Sequence, residues 1–366
     1  MTALDWAMVA LAAYEAPSLA TSQYATDGLL FARALSCAIL FYVLARLTLS
    51  TNHQCFVTAS LVALGGIALA AFAFSRFAHE ANAVERAGLS AIVPFRARLI
   101  PVPAPWVLGE WFTLVLLTLP FAAAVPTLLW FADRRIAAIA SSLAPLTISA
   151  VLLLSCSRAI FWAVVVLALA TIVAAALYRV LKPKSALAIG SAALCMFALM
   201  LAGENAIYPG FASAYTGRDV SQARSTAGRL DIWKRSIGVL RVSPIWGVGS
   251  GNAPLFLTST GNSEDTTGFA SRTFSLPIQI LTEKGSLGAA LYLTVLLLAA
   301  WTGHRLLRNA KVQPTEKVLT CCMAAGIIAV LVRELTYASL LEHPATAMLF
   351  ALMLAFLAAK EPTCSA

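Results

Sequence analysis

Long apolar runs separated by polar connections dominate the sequence. A transmembrane helix needs about 20 predominantly apolar residues, and about ten runs meet or approach that length. The predicted spans lie near residues 3–20, 28–49, 56–75, 109–132, 136–154, 159–181, 185–203, 277–302, 317–338 and 343–359. The first run is the weakest, since it contains Glu15 and Pro17. This pattern predicts an all-α, polytopic helical membrane protein.

Basic residues in the short connections orient the predicted spans. They alternate consistently onto one side and comprise Arg134, Arg135, Arg179, Lys182, Lys184, Arg305, Arg308 and Lys311. Because Lys and Arg are enriched in cytoplasmic loops, that side is expected to be cytoplasmic. The chain then divides into residues 1–203 with spans 1–7, a long loop at 204–276, and residues 277–366 with spans 8–10. The long loop is expected on the opposite side of the membrane.

Part of this loop has helical periodicity. One apolar stripe follows helical spacing at Leu230, Trp233, Ile237 and Leu240. A polar stripe contains Asp231, Lys234, Arg235, Gly238 and Arg241. Ser225 or Thr226 is expected to cap the helix, and Pro244 to stop it. A basic face beside tryptophan suits the headgroup zone, which favours membrane anchoring for the three basic residues.

Two further features of the polar segments suggest a site. The run Gly247-x-Gly249-x-Gly251 predicts a turn where the backbone bends tightly or approaches a ligand. Arg158 lies in the SCSR turn between two apolar runs. An ionisable group at that depth is a candidate functional residue, and an arginine that extends towards the interface at a tight turn is the alternative.

Composition agrees with a membrane protein. The chain has 366 residues, of which 60% are hydrophobic and 12% are charged, and its net charge is +9. Because the basic residues cluster at span ends, nucleic-acid binding is not expected. The seven cysteines form no CxxC pair and have no ligand spacing with histidine. We therefore expect no metal site, no disulfide framework and no cofactor.

The residues from about Ser155 to Ala300 resemble a known family. An SR pair that opens a span, followed by a long loop carrying GRLDIWKRSIGVLRVSPIWGVGSGN, is similar to the O-antigen ligase and Wzy polymerase superfamily. The resemblance implies a GT-C-like fold in the bacterial inner membrane, with short amphipathic helices in the periplasmic loop. It implies an active site at the periplasmic face.

The activity that the resemblance implies is glycosyl transfer. Family members transfer glycan from an undecaprenyl-diphosphate carrier, either to another glycan or to lipid A-core, by metal-independent inverting chemistry. Arg158 and Arg229 would then hold the donor diphosphate, because guanidinium groups bind phosphate oxygens in a fork and stay charged. They would also stabilise the charge that develops on the leaving diphosphate. Arg241 is a further donor-binding candidate.

One residue departs from the ligase pattern. Ligases carry a histidine, then Asn, Ser or Gln, nine residues, a glycine, two residues and a small residue. Here the frame reads Phe274, Ser275, residues 276–284, Gly285 and finally Gly288. Since phenylalanine cannot accept a proton, the pattern favours the polymerase over the ligase. Phe274 is expected to form a wall of the acceptor or lipid channel.

Other residues are candidates for the missing proton chemistry. His343 follows Glu342 on the expected outer side and is the first candidate for a general base. Glu334 is the nearest match to an acidic residue that the family places late in the chain, and it is expected to pair with Arg333 or with the site. Arg272 lies two residues before the histidine position and is a candidate donor ligand.

Two other functional classes remain open. A transporter or flippase is disfavoured because charged residues concentrate in one loop and at helix ends near it, rather than along several spans. A non-catalytic assembly partner is the other alternative. Expected partners are the lipid-linked glycan, a glycan or lipid A-core acceptor and the bilayer, with a chain-length regulator and a flippase as further candidates.

Overall fold

The computed structural model of the protein describes residues 1–20, 25–86, 108–153, 157–180, 198–199, 202, 220–253, 275–336, 340 and 343–359. These ranges contain eleven α-helices and no β-strand. The helices are α1 (Ala3–Ala20), α2 (Ala25–Thr48), α3 (Asn52–Arg86), α4 (Leu108–Phe131), α5 (Arg135–Ser141), α6 (Leu143–Leu153), α7 (Arg158–Leu177), α8 (Val220–Val239), α9 (Leu276–Arg308), α10 (Pro314–Glu334) and α11 (Pro344–Ala359). The all-α fold class is confirmed.

Nine of the ten predicted spans coincide with helices in the described ranges, and the span at 185–203 lies almost wholly outside them. Within the described part of the chain, six stretches are long and apolar enough to cross a membrane: Asn52–Ser75, Phe112–Phe131, Arg135–Leu153, Arg158–Leu177, Leu276–Arg308 and Pro314–Glu334. Helix α11 is also apolar but has only 16 residues. The protein is therefore a multi-pass membrane protein. The count of about ten spans stays a prediction.

The chain divides into two compact units. The first unit consists of Met1–Ser50, Val220–Leu306 and Arg333–Ala366. In it, α2 packs along α11 and also contacts α1. Asp5 on α1 accepts hydrogen bonds from the Tyr42 hydroxyl (2.7 Å) and from Arg46 Nε (3.2 Å) on α2. These polar contacts fix the first two helices against each other.

The second unit consists of Thr51–Asp219 and Leu307–Val332. Helix α4 is its most buried helix and packs against α3, α5, α6 and α7. Gly66 on α3 allows close packing here, because a Cβ atom at that position would lie within 3 Å of the Thr118 side chain on α4. Small residues permit such close helix approach in membranes.

Helix α8 confirms the helix predicted in the long loop, but two details differ. It begins at Val220, so the predicted caps Ser225 and Thr226 lie inside it. The intervening residues include Gln, Ala and Arg, which favour helix, and no Gly or Pro stops it. The buried face is formed by Ile232, Ser236 and Val239. The predicted apolar stripe is partly or largely exposed.

Candidate functional site

Helix α9 is broken at Gly285. This residue has φ 64° and ψ −168°, a conformation that is essentially open only to glycine. The break leaves an N-terminal half-helix at residues 276–284 and a C-terminal half-helix at residues 286–308. A break leaves backbone groups without partners, and these groups must be satisfied inside the protein at membrane depth.

A turn from residue 244 to residue 251, which we call the glycine turn, supplies those partners. The N–H groups of Val248 and Gly249 donate to the carbonyl oxygens of Thr282 and Glu283, both at 3.0 Å. Beyond the break, Ser286 N–H donates to the Pro244 carbonyl at 2.9 Å. Leu287 N–H donates to the Ile245 carbonyl at 3.2 Å. The glycine turn therefore bridges both half-helices.

The glycines make this approach possible. Gly247, Gly249 and Gly251 all have positive φ, at 73°, 92° and 74°, so the predicted tight turn is confirmed. A Cβ atom at Gly247 would lie within 3 Å of the Glu283 backbone, and one at Gly285 would clash with the Ile245 carbonyl. The turn thus approaches helix backbone. Its N–H groups from 247 to 249 donate to protein carbonyls and do not cradle a phosphate.

A buried polar cluster lies directly beside the break. We call it the Lys284 cluster; its members are Tyr14, Glu15, Ser18, Ser250, Lys284 and Tyr292. The Lys284 ammonium group donates to the Glu15 carboxylate, to Ser250 Oγ and to Ser18 Oγ, the last at 3.1 Å. The Tyr14 hydroxyl donates to the Lys284 carbonyl oxygen at 2.6 Å. Lys284 and Glu15 are both buried, so each charge needs the other.

Gly288 completes the same arrangement. A Cβ atom there would lie within 3 Å of the Lys284 side chain and of the Tyr14 ring. The two glycines of the ligase-like frame thus have different structural roles. Gly285 allows the break in the helix, and Gly288 leaves the space that the Tyr14 ring and the Lys284 side chain occupy. The nine residues between Ser275 and Gly285 are the N-terminal half-helix, about 13 Å long. Phe274 and Arg272, immediately before it, lie outside the described residues.

Arg333 and Glu334 are buried at the end of α10. Arg333 Nη1 donates to Glu334 Oε1 at 2.5 Å, so of the two predicted alternatives the structure shows the pairing with each other. The second oxygen of Glu334 accepts from Leu340 N–H at 3.1 Å. Thr346 Oγ1 donates to the carbonyls of Leu340 (3.0 Å) and His343 (2.8 Å). Glu334 therefore binds the backbone at Leu340, three residues before His343, which is partly buried.

The predicted donor-binding arginines within the described residues differ in their exposure and in the unit to which they belong. Arg158 is the first residue of α7, is exposed, and belongs to the second unit. Arg229 is half-buried on α8 in the first unit, and Arg241 is exposed in the turn that follows α8. A shared role of these side chains in binding a diphosphate stays a prediction.

The Lys284 cluster was not predicted as part of the site. The sequence does carry a signal for it, since Glu15 and Lys284 are opposite charges in two separate apolar runs. Intramembrane charges are rare and usually paired. The two residues are 269 positions apart, so the fold was needed to identify the pair.

Comparison with known proteins agrees with the resemblance found in the sequence. A family model described as O-antigen ligase (Wzy_C) matches residues 143–293. The matched segment begins at α6 and includes the glycine turn and the break in α9. A search of curated proteins finds no match. The matched segment is less than half of the chain, and it supports the resemblance of residues 143–293 to the O-antigen ligase and Wzy superfamily.

Proposed function

We propose that the protein is a membrane glycosyltransferase of surface-polysaccharide assembly that acts as a Wzy-type polymerase. It joins glycan units carried on undecaprenyl diphosphate at the periplasmic face of the inner membrane. The family match supports ligase- or polymerase-type activity in glycan assembly.

The observation that carries the polymerase assignment is Phe274 in an otherwise intact frame. Gly285 and Gly288 keep defined structural roles, so the backbone of the frame is retained. A phenylalanine at the first position of that frame has no group that can accept a proton or a hydrogen bond. A ligase-type role for this position is therefore lost, whereas the polymerase reaction does not require it.

The proposed reaction is a single displacement at the anomeric carbon of the donor sugar. A hydroxyl oxygen of the acceptor glycan forms the new bond to this carbon as the bond to the diphosphate oxygen breaks. The electron pair leaves with the diphosphate, the hydroxyl proton passes to a base, and the anomeric configuration inverts. Arg158 and Arg229 neutralise the leaving diphosphate, with Arg241 and Arg272 as further donor contacts.

His343 is the proposed base for this step. Its imidazole has a ring nitrogen that can accept a proton, and the Phe274 ring has none. Glu334 acts on it indirectly, because its carboxylate binds the backbone of the connection between α10 and α11. Phe274 forms an apolar wall for the acceptor or for the lipid.

Deleting the gene in the source bacterium distinguishes the two family reactions. A polymerase deletion leaves lipid A-core that carries a single repeat, with no longer chains on an electrophoresis gel. A ligase deletion instead leaves full-length chains on the carrier and none on lipid A-core, and this result would replace the polymerase assignment with the alternative. Unchanged surface glycan would refute both.

Replacing the arginines by lysine tests their assignment. Arg158→Lys and Arg229→Lys keep the charge but lose the planar fork, and each is expected to lower activity about 10²-fold. Lys234→Ala is the matched control: this exposed residue lies on the same helix as Arg229 and is expected to anchor it only. Wild-type activity in both lysine variants at equal protein levels would contradict the assignment.

A further inference from the structure

We infer that Lys284 and Glu15 are positioning residues for glycan transfer. Their ion pair fixes the N-terminal half-helix (residues 276–284), which begins two residues after Phe274. The inference rests on the proposed function for its enzymatic meaning. It adds α1, which lies outside the matched segment, to the machinery that sets the acceptor position.

Helix α9 is interrupted directly after the N-terminal half-helix. Across Gly285 the helical conformation is interrupted, so the helix ladder does not by itself set the direction of the N-terminal half-helix. That direction is set by what binds the two ends of the break. The glycine turn binds both ends, and α1 binds the Lys284 carbonyl through the Tyr14 hydroxyl.

The Lys284 ammonium group has an acceptor for each of its N–H donors. An ammonium group has three N–H donors, and here it has three acceptors: Glu15, Ser18 and Ser250. Two acceptors are on α1 and the third is in the glycine turn. The side chain therefore ties the last residue of the half-helix to α1 and to the turn at once. The Tyr292 hydroxyl also donates to Glu15, at 3.4 Å, from the C-terminal half-helix.

The free energy of a buried ion pair does not by itself explain why the pair is present. Buried ion pairs are often no more stabilising than well-packed apolar residues of similar size. A Leu or Met pair would fill this space, but it would not fix the direction of the half-helix through three directed hydrogen bonds. The pair is therefore better explained by geometry at the half-helix than by stability alone.

The experiment compares Lys284→Met, Glu15→Gln and the double variant in the purified full-length chain. Turnover is measured with lipid-linked single repeat units extracted from a strain that lacks this gene. Amide hydrogen exchange is measured for Val248 and Gly249, whose N–H groups bind the half-helix, together with the melting temperature. Each single variant is expected to lower turnover about 10- to 100-fold and to speed exchange of these amides.

The double variant separates positioning from stability. Removing both charges leaves neither member of the ion pair buried without the other, so the melting temperature is expected to return towards that of the wild type. Turnover is expected to stay low and exchange to stay fast, because the three directed contacts are still absent. Turnover that recovers together with the melting temperature would overturn the inference and assign the pair to stability only.

Tyrosine variants test the contact between α1 and the end of the N-terminal half-helix when a charge variant does not fold. Tyr14→Phe removes the hydroxyl that donates to the Lys284 carbonyl and, at 3.4 Å, to the Trp246 carbonyl of the glycine turn, and it is expected to lower turnover about 2- to 10-fold. Tyr42→Phe removes a comparable hydroxyl contact to Asp5, away from the break, and should retain wild-type turnover and exchange. Equal turnover in the two variants would overturn the inference.

Absence of transfer by the wild-type chain would instead refute the proposed function. The hydrogen-exchange data would still show whether the ion pair fixes the N-terminal half-helix.

Discussion

Replacing Gly285 by alanine tests the broken helix most simply. The residue has φ 64° and ψ −168°, which side chains other than glycine rarely adopt. The added Cβ atom would also lie within 3 Å of the Ile245 carbonyl group and would approach Gly247 N to 2.5 Å. These neighbours are backbone atoms, so they cannot move aside by a change of rotamer.

Two terms set the size of the effect. A residue held in this conformation costs about 1–3 kcal/mol. Forcing an extra methyl group into a packed position costs about 1–3 kcal/mol more. We therefore expect Gly285→Ala to lower the free energy of unfolding by about 2–6 kcal/mol. Loss of the glycine turn's hydrogen bonds to α9 would place the result at the upper end.

Gly238→Ala is the matched control. Gly238 lies within helix α8, and a Cβ atom there meets nothing within 4 Å. Because alanine favours helix over glycine, this variant is expected to be more stable by up to about 1 kcal/mol. Both variants are measured by denaturant or thermal unfolding of the purified chain in one detergent. A Gly285→Ala protein within about 0.5 kcal/mol of the wild type would refute the proposed backbone geometry.

Three further predictions concern the packing of α3 against α4, the proposed base and the membrane topology. Gly66→Ala should cost about 1–3 kcal/mol because it meets a threonine of α4, whereas Gly65→Ala, which meets nothing within 4 Å, should be neutral or more stable by up to about 1 kcal/mol in the same unfolding assay. His343→Ala should lower glycan transfer about 10²–10⁴-fold and Phe274→Leu should retain most of it; the reverse order would contradict both roles. A cysteine placed near Asn262 should react with an impermeant reagent from the periplasmic side, and labelling only after the inner membrane is opened would reverse the predicted topology.

The membrane helices were predictable from the sequence because long apolar runs identify them. Each apolar run of membrane-spanning length within the described ranges is helical, although the run at 136–154 consists of α5 and α6. The bounds agree to within a few residues except where a helix extends into polar sequence. Helix α3 is such a case, since it continues to Arg86 although its apolar run ends near residue 75. Backbone hydrogen bonding continues after hydrophobicity ends, and hydropathy does not report that.

The break in α9 and its partners were not predictable in the same way. The apolar run continues across Gly285, so the sequence pattern indicates one span. The break depends on the glycine turn and on Tyr14, which are distant in sequence and reach the helix only in the folded chain. Glu15 counted against the first span when taken alone. In the fold it is the partner of Lys284.

The pairing of Arg333 with Glu334 was predictable because neighbouring opposite charges in an apolar run have few other partners. The bond from Glu334 to Leu340 N–H was not, since it depends on how the chain turns between α10 and α11. It makes a positioning role for Glu334 the more natural expectation than direct proton transfer.

Extension of a lipid-linked glycan by the purified chain tests the central claim most directly. The chain is placed in vesicles with undecaprenyl-diphosphate-linked single repeats, without and with lipid A-core, and the products are separated by electrophoresis. The account predicts a ladder of longer glycans still attached to the carrier, formed without lipid A-core, and release of one undecaprenyl diphosphate for each bond made. Single repeats that move only onto lipid A-core, with no ladder on the carrier, would contradict it.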